Sequence, residues 1–135
     1  MKPPAPTLLA DLVAAARAVS MRAYAPYSNF HVGAAVLAED GSIHAAANVE
    51  NSSYGLTSCA ERNAVFAAIS AGARRIVAVA IHTPTDRPIA PCGACRQVIS
   101  EFGAGVKVVS TCDSDERREW AIEGLLPDAF GPHSL

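Results

Sequence analysis

The stretch from Ile76 to Ser110 constrains the fold more than any other part of the chain. Ile76 to Ile81 is a short, continuous apolar run of strand character. A helix begins near Cys92 and ends at Gly103, and Val106 to Ser110 is again a strand. Strand, helix and strand in that order predict a parallel pairing through a right-handed crossover, the hand in which such a unit packs back on its own sheet. A helix must then cover one face of that sheet, which commits the chain to the α/β class.

The remaining sequence adds elements to this unit. A helix is expected from Leu8 to Arg22, with Thr7 as N-cap after Pro6 and with Leu8, Leu12, Ala16 and Val19 on one face. Pro26 disfavours helix at Ala25, so Tyr24 to Phe30 is read as a loop. The runs from Val32 to Ala38 and from Ser42 to Glu50 flank Glu39-Asp40-Gly41, and Asp-Gly between apolar runs is a strong hairpin signal. Asn48 and Glu50 are two residues apart and on a strand would project from the same face. A loop from Asn51 to Ser58 leads into a helix from Cys59 to Ala71 that stops at Gly72. Thr83 to Pro91, with three prolines, is a loop. The tail shows only a short strand near Trp120 to Ile122 and a turn at Pro127. With no repeat or linker, residues 1–135 are expected to form one domain, a mixed sheet with helices packed on it.

Composition narrows the partners. A chain of 135 residues that is 50% hydrophobic can build an ordinary core and offset its ordering entropy, so disorder is excluded. The apolar stretch from Leu8 to Val19 is interrupted by Asp11 and Arg17 and is too short to cross a bilayer. Those charges also argue against a signal peptide, so no membrane partner and a cytoplasmic location are expected. The net charge is −2, and only Arg74-Arg75 and Arg117-Arg118 bring basic residues together. That is no basic stripe for phosphates, so a small, nearly neutral ligand is expected and a nucleic acid is not. The alanine-rich, weakly charged surface favours association with further copies of the chain.

The chemistry lies in Ser58-Cys59-Ala60-Glu61-Arg62 and Pro91-Cys92-Gly93-Ala94-Cys95-Arg96-Gln97. Cys92 and Cys95 share one side of a predicted helix at its start, where unpaired backbone N–H groups favour thiolates. Cys59 begins another helix. Three soft ligands with no fourth suit Zn²⁺ with one position open for water. Glu61, two residues after Cys59, would take a proton from that water and return it to substrate. Cys92 and Cys95 also match a thioredoxin-type redox pair, although that reading leaves Cys59 and Glu61 idle. A structural Cys₄ site recruiting Cys112 is a further alternative. His31, His44, His82 and His133 show no ligand spacing among themselves.

Together with Tyr24-Ala-Pro-Tyr-Ser-Asn-Phe30, Asn48-Val-Glu50-Asn51 and Leu125-Leu-Pro-Asp-Ala-Phe130-Gly, these two motifs make nearly the whole chain resemble the small, homotetrameric cytidine deaminases. The resemblance implies a three-layer α/β/α fold around a central mixed five-stranded sheet. It implies one zinc per chain on Cys59, Cys92 and Cys95, with Glu61 moving protons. Asn48 and Glu50 would bind the ribose hydroxyls, Phe30 would pack on the pyrimidine, and the Ala60 N–H would contact the base carbonyl. Tyr54 and Phe130 would complete a neighbouring subunit's pocket. Arg62 and Arg96, beside the ligand cysteines, are expected to hydrogen-bond to thiolate sulfur and so relieve the negative charge of a Cys₃ site. The implied activity is hydrolytic deamination of cytidine and 2′-deoxycytidine in pyrimidine salvage. Deamination of a modified cytosine nucleoside, of the blasticidin type, and a non-catalytic zinc-stabilised interaction module are the other readings.

Overall fold

Pro6 opens the first helix, because its fixed φ suits the first helical position and its missing N–H has no intrahelical partner to lose. Helix α1 therefore covers Pro6–Ser20, with Ala5 at the N-cap in place of the expected Thr7. Its buried stripe is Leu9, Leu12, Ala16 and Ser20, while Leu8 and Val19 are half-buried at its borders. The computed structural model of the protein describes residues 4–135; residues 1–3 of the expected domain lie outside that span. After α1 come strands β1 (Gly33–Ala38) and β2 (Ile43–Ala47), helix α2 (Ala60–Ser70), strand β3 (Ile76–His82) and helix α3 (Gly93–Glu101). Strands β4 (Lys107–Thr111) and β5 (Arg117–Ala121) and a short helix, α4 (Ile122–Leu125), follow.

The five strands form one sheet in the order β2-β1-β3-β4-β5. β3 and β4 run parallel, joined through α3, and the other neighbours are antiparallel. Alternation along the strands feeds two cores. Ala35, Leu37, Ala78, Ala80 and Val109 meet Leu9, Leu12 and Ala16 of α1 on one face. On the other, Ala34, Val36, Val79, Ile81 and Val108 meet Ala60, Ala64, Val65 and Ala68 of α2 and Ile99 of α3. The result is the three-layer α/β/α arrangement that the resemblance implies.

Two glycines are required by geometry. Gly41 takes φ +89° in the β1–β2 turn, a conformation that side chains rarely adopt. At Gly33, a Cβ would stand 1.9 Å from the Ala16 carbonyl oxygen and 2.7 Å from the Ser20 nitrogen, so β1 passes against the backbone of α1. Gly33→Ala must push the helix off the sheet. A loss of about 3 kcal/mol is expected, which should lower the thermal midpoint by roughly 10 °C. A melting curve like that of the parent protein would contradict it.

Two expected elements end elsewhere. β2 stops at Ala47, so Asn48 and Glu50 do not lie on a strand with an open face. Beyond Ala47 the backbone leaves β1 and makes isolated bridges, Val49 pairing with Tyr24 on one side and Ser58 on the other. At the far edge the last strand begins at Arg117, and Ile122, expected in it, starts α4 with its side chain buried.

Candidate active site

Cys59 is the N-cap of α2 and Cys92 the N-cap of α3, both in extended conformation, and Cys95 lies within the first turn of α3. The two helices occupy the same face of the sheet, and their starts converge. The Cys59 and Cys92 Sγ atoms are 3.9 Å apart and those of Cys92 and Cys95 3.4 Å apart. All three sulfurs lie within 4.8 Å of one another. A tetrahedral zinc with Zn–S bonds of about 2.3 Å needs sulfurs about 3.8 Å apart, so the cluster fits the ion. Among the described residues, this is the group of three such side chains able to share a metal.

The protonation chemistry of the thiols points the same way. A hydrogen bond from Cys95, followed by the Arg62 guanidinium, lowers the Cys59 pKa to about 5. Cys95 is driven upward, first by its hydrogen bond with Cys59 and then by burial. Thiols this close cannot all ionise without a cation between them, and a divalent ion supplies the missing charge. Cys112 does not join them. It is buried against the Asp86 and Glu116 carbonyls, each 3.5 Å from its Sγ, and the Ser114 hydroxyl at 3.3 Å, so it leaves the structural Cys₄ reading without its fourth ligand.

Glu61 sits in the first turn of α2 and is only 6% exposed. Burial raises its carboxyl pKa and the neighbouring Cys59 adds to the effect. A carboxyl poised in this way can hold a proton and release it within one reaction cycle. Ala60, fully buried beside it, presents one of the unpaired N–H groups of the helix start.

The two arginines part company. Arg62 Nη2 donates to Cys59 Sγ at 3.3 Å, as expected for charge relief, while its Nε is buried without a partner. Arg96 does not make the expected sulfur contact. Its Nε donates to the Pro91 carbonyl at 2.7 Å and its Nη1 to the Leu125 carbonyl at 2.9 Å, tying the C-terminal segment to the approach of α3.

Beside the thiols lies a cavity of about 270 Å³. Phe30, Asn48, Cys59, Ala60, Glu61 and Cys92 line it, as do Thr57, Thr83 and Ile89, which sequence reasoning did not select. Glu50 and Tyr54 line a second depression, of about 330 Å³, which shares Thr57 with the first. Asn48 is buried: its Oδ1 accepts from the Val32 N–H at 2.9 Å and its Nδ2 donates to the Phe30 carbonyl at 2.8 Å. Tyr54 is exposed and packs against Tyr27 with ring centres 5.8 Å apart. Phe130 is 62% exposed and lines neither cavity within one chain, although its carbonyl accepts from Gln97 Nε2 at 2.8 Å. Asn63 was also overlooked; its Nδ2 donates to the Ala47 carbonyl at 2.9 Å and fastens the end of β2 to α2.

A model of the cytidine and deoxycytidylate deaminase zinc-binding region matches residues 7–112. The chain is 47% identical over 125 residues to the cytidine deaminase of Sporosarcina psychrophila, covering 92% of each. It is 52% identical over 109 residues to the cytidine deaminase of Halalkalibacterium halodurans, covering 80% of this chain and 83% of the relative. The crystal structure of cytidine deaminase from Burkholderia pseudomallei aligns with a TM-score of 0.86 at 50% identity, over 90% of this chain and 98% of that one.

Proposed function

The chain belongs to the cytidine and deoxycytidylate deaminase family, and on that premise we propose that it converts cytidine and 2′-deoxycytidine to the corresponding uridines with release of ammonia. The observation that supports this reading is a buried carboxyl, Glu61, that lines an apolar cavity of about 270 Å³ together with Cys59 and Cys92 of a three-thiol cluster able to hold zinc.

Cys59, Cys92 and Cys95 would hold zinc, which would supply the Lewis acidity that activates a water toward C4 of the pyrimidine. Glu61 takes a proton from that water and delivers it to ring N3, and in the second half of the reaction it passes the other proton to the departing amine. Burial raises the Glu61 pKa and so favours its protonated form, the form that donates to N3 and to the departing amine. Phe30 stacks on the ring and the Ala60 N–H holds the base carbonyl. Asn48 and Glu50 receive the sugar hydroxyls. Arg62 draws charge from the Cys59 sulfur, while Arg96 acts at a distance by fixing the backbone before Cys92.

The working form in this proposal is a homotetramer of single-domain chains in the cytoplasm, serving pyrimidine salvage. The exposure of Tyr54 and Phe130 supports it, since each is a large aromatic side chain that another subunit would cover. Zinc-loaded protein is expected to deaminate both nucleosides, read as loss of cytidine absorbance, and to leave single-stranded DNA and RNA untouched. Sedimentation at assay concentration should show an oligomer. Inertness toward both nucleosides would refute the activity, and a fully active monomer would refute the shared pocket.

A further inference from the structure

The Glu50 carboxylate is already engaged before any substrate arrives. Its Oε1 accepts from the Tyr27 N–H at 3.0 Å and the Ser28 N–H at 3.1 Å, and its Oε2 accepts from the Ser28 hydroxyl. A carboxylate is acceptor-only, so the single hydroxyl proton of Ser28 goes to Glu50 and the Ser28 oxygen is free to accept. It does so from the Phe30 N–H at 3.0 Å. One directed chain therefore runs from the Phe30 backbone through the Ser28 hydroxyl to Glu50. The other backbone group of Phe30, its carbonyl, is held by Asn48 Nδ2 at 2.8 Å. Both backbone polar groups of Phe30 are thus anchored by the side chains assigned to the sugar, directly for Asn48 and through Ser28 for Glu50.

We propose that Ser28 is a positioning residue for nucleoside binding, one hydroxyl that orients the Glu50 carboxylate toward the sugar and at the same time sets the height of Phe30 over the base. The inference rests on the proposed nucleoside deaminase function. A second consequence follows from the count of acceptor positions. A carboxylate offers about four, of which the loop occupies three. Glu50 then has one position left, and accepts one sugar hydroxyl rather than two. The Ser28 hydrogen bond, the largest influence on Glu50, keeps its carboxyl below the usual range, so it serves as an anionic acceptor at neutral pH.

Ser28→Ala removes the relay while leaving the zinc ligands and Glu61 in place. The apparent KM for both nucleosides should rise roughly three- to tenfold, the span for loss of one charge-assisted hydrogen bond at a partly solvated site, with kcat within about twofold. Ser28→Thr retains the hydroxyl and should restore KM. In a Glu50→Gln background, Ser28→Ala should add less than about twofold, because both changes break the same chain. Zinc content and the thermal midpoint should not move. If the parent protein deaminates cytidine and Ser28→Ala leaves KM unchanged, the positioning role is wrong while the function stands. A parent protein inert toward nucleosides would remove the function itself. Full additivity with Glu50→Gln, or a fall in kcat that tracks lost zinc, would also overturn the proposal. Should Ser28→Ala fail to fold, Ser28→Cys, close in size and a weak donor, takes its place; misfolding of both would make Ser28 a structural residue and overturn the role.

Discussion

Glu61→Gln should retain zinc and fold while turnover falls by more than about 10⁴-fold. A single positioned acid or base contributes roughly 10²- to 10⁴-fold, and Glu61 is assigned transfers at the attacking water, at N3 and at the departing amine. Glutamine keeps the volume of a side chain that is only 6% exposed, so no cavity opens in the first turn of α2. Removal of an ionisable group that burial disfavours in its charged form should leave the thermal midpoint level or slightly raised. Metal analysis, a melting curve and single-turnover kinetics on one preparation separate these effects. Turnover within tenfold of the parent protein would end the proton-transfer role.

Loss of a metal ligand should be equally severe, by a different route. Cys95→Ser is expected to lose bound zinc, all measurable deamination and part of the thermal stability together. Cys95 is fully buried, and its thiol is driven upward by the hydrogen bond with Cys59 and by burial, so only a cation makes its thiolate favourable there. Without zinc, the starts of α2 and α3 in this variant would hold the two remaining sulfurs, Cys59 and Cys92, with no compensating charge. Cys112→Ser is the matched control, since Cys112 packs against Asp86, Ser114 and Glu116. One zinc per chain should persist in Cys112→Ser and disappear in Cys95→Ser. Zinc lost from the Cys112 variant, or kept in the Cys95 variant, would contradict the ligand assignment.

Whatever depends on spacing within a few residues was legible in the sequence. The parallel unit from Ile76, the hairpin at Asp40-Gly41 and the positions of Cys59, Cys92 and Cys95 at helix starts all follow from local periodicity and turn chemistry, and the structure contains each of them. The resemblance carried further, to the three layers and the metal. Errors arose where a side chain's partner lies far along the chain. Arg96 follows Cys95 directly, yet adjacent residues on a helix point about 100° apart, so its guanidinium reaches Pro91 and Leu125 instead of the sulfurs. Arg62, three residues after Cys59, shares its face and does reach the thiol.

Asn48 and Glu50 illustrate the same division. Their alternation reads as strand, and nothing within a few residues reveals that the backbone will leave β1 to bridge Tyr24 and Ser58. Their partners, Phe30, Val32, Tyr27 and Ser28, belong to a loop some twenty residues earlier, and an exposed serine has no hydrophobic signature that would single it out. By itself, then, the sequence determined the elements, the ligand types and the chemistry those ligands favour, because these are properties of short segments. Only the tertiary structure decided that two helix starts 33 residues apart bring three thiols within reach of one ion and that the Ser28 hydroxyl joins the Glu50 carboxylate to the Phe30 backbone. Convergence of this kind depends on how whole layers pack, and packing is a property of the assembled sheet and helices rather than of any one segment.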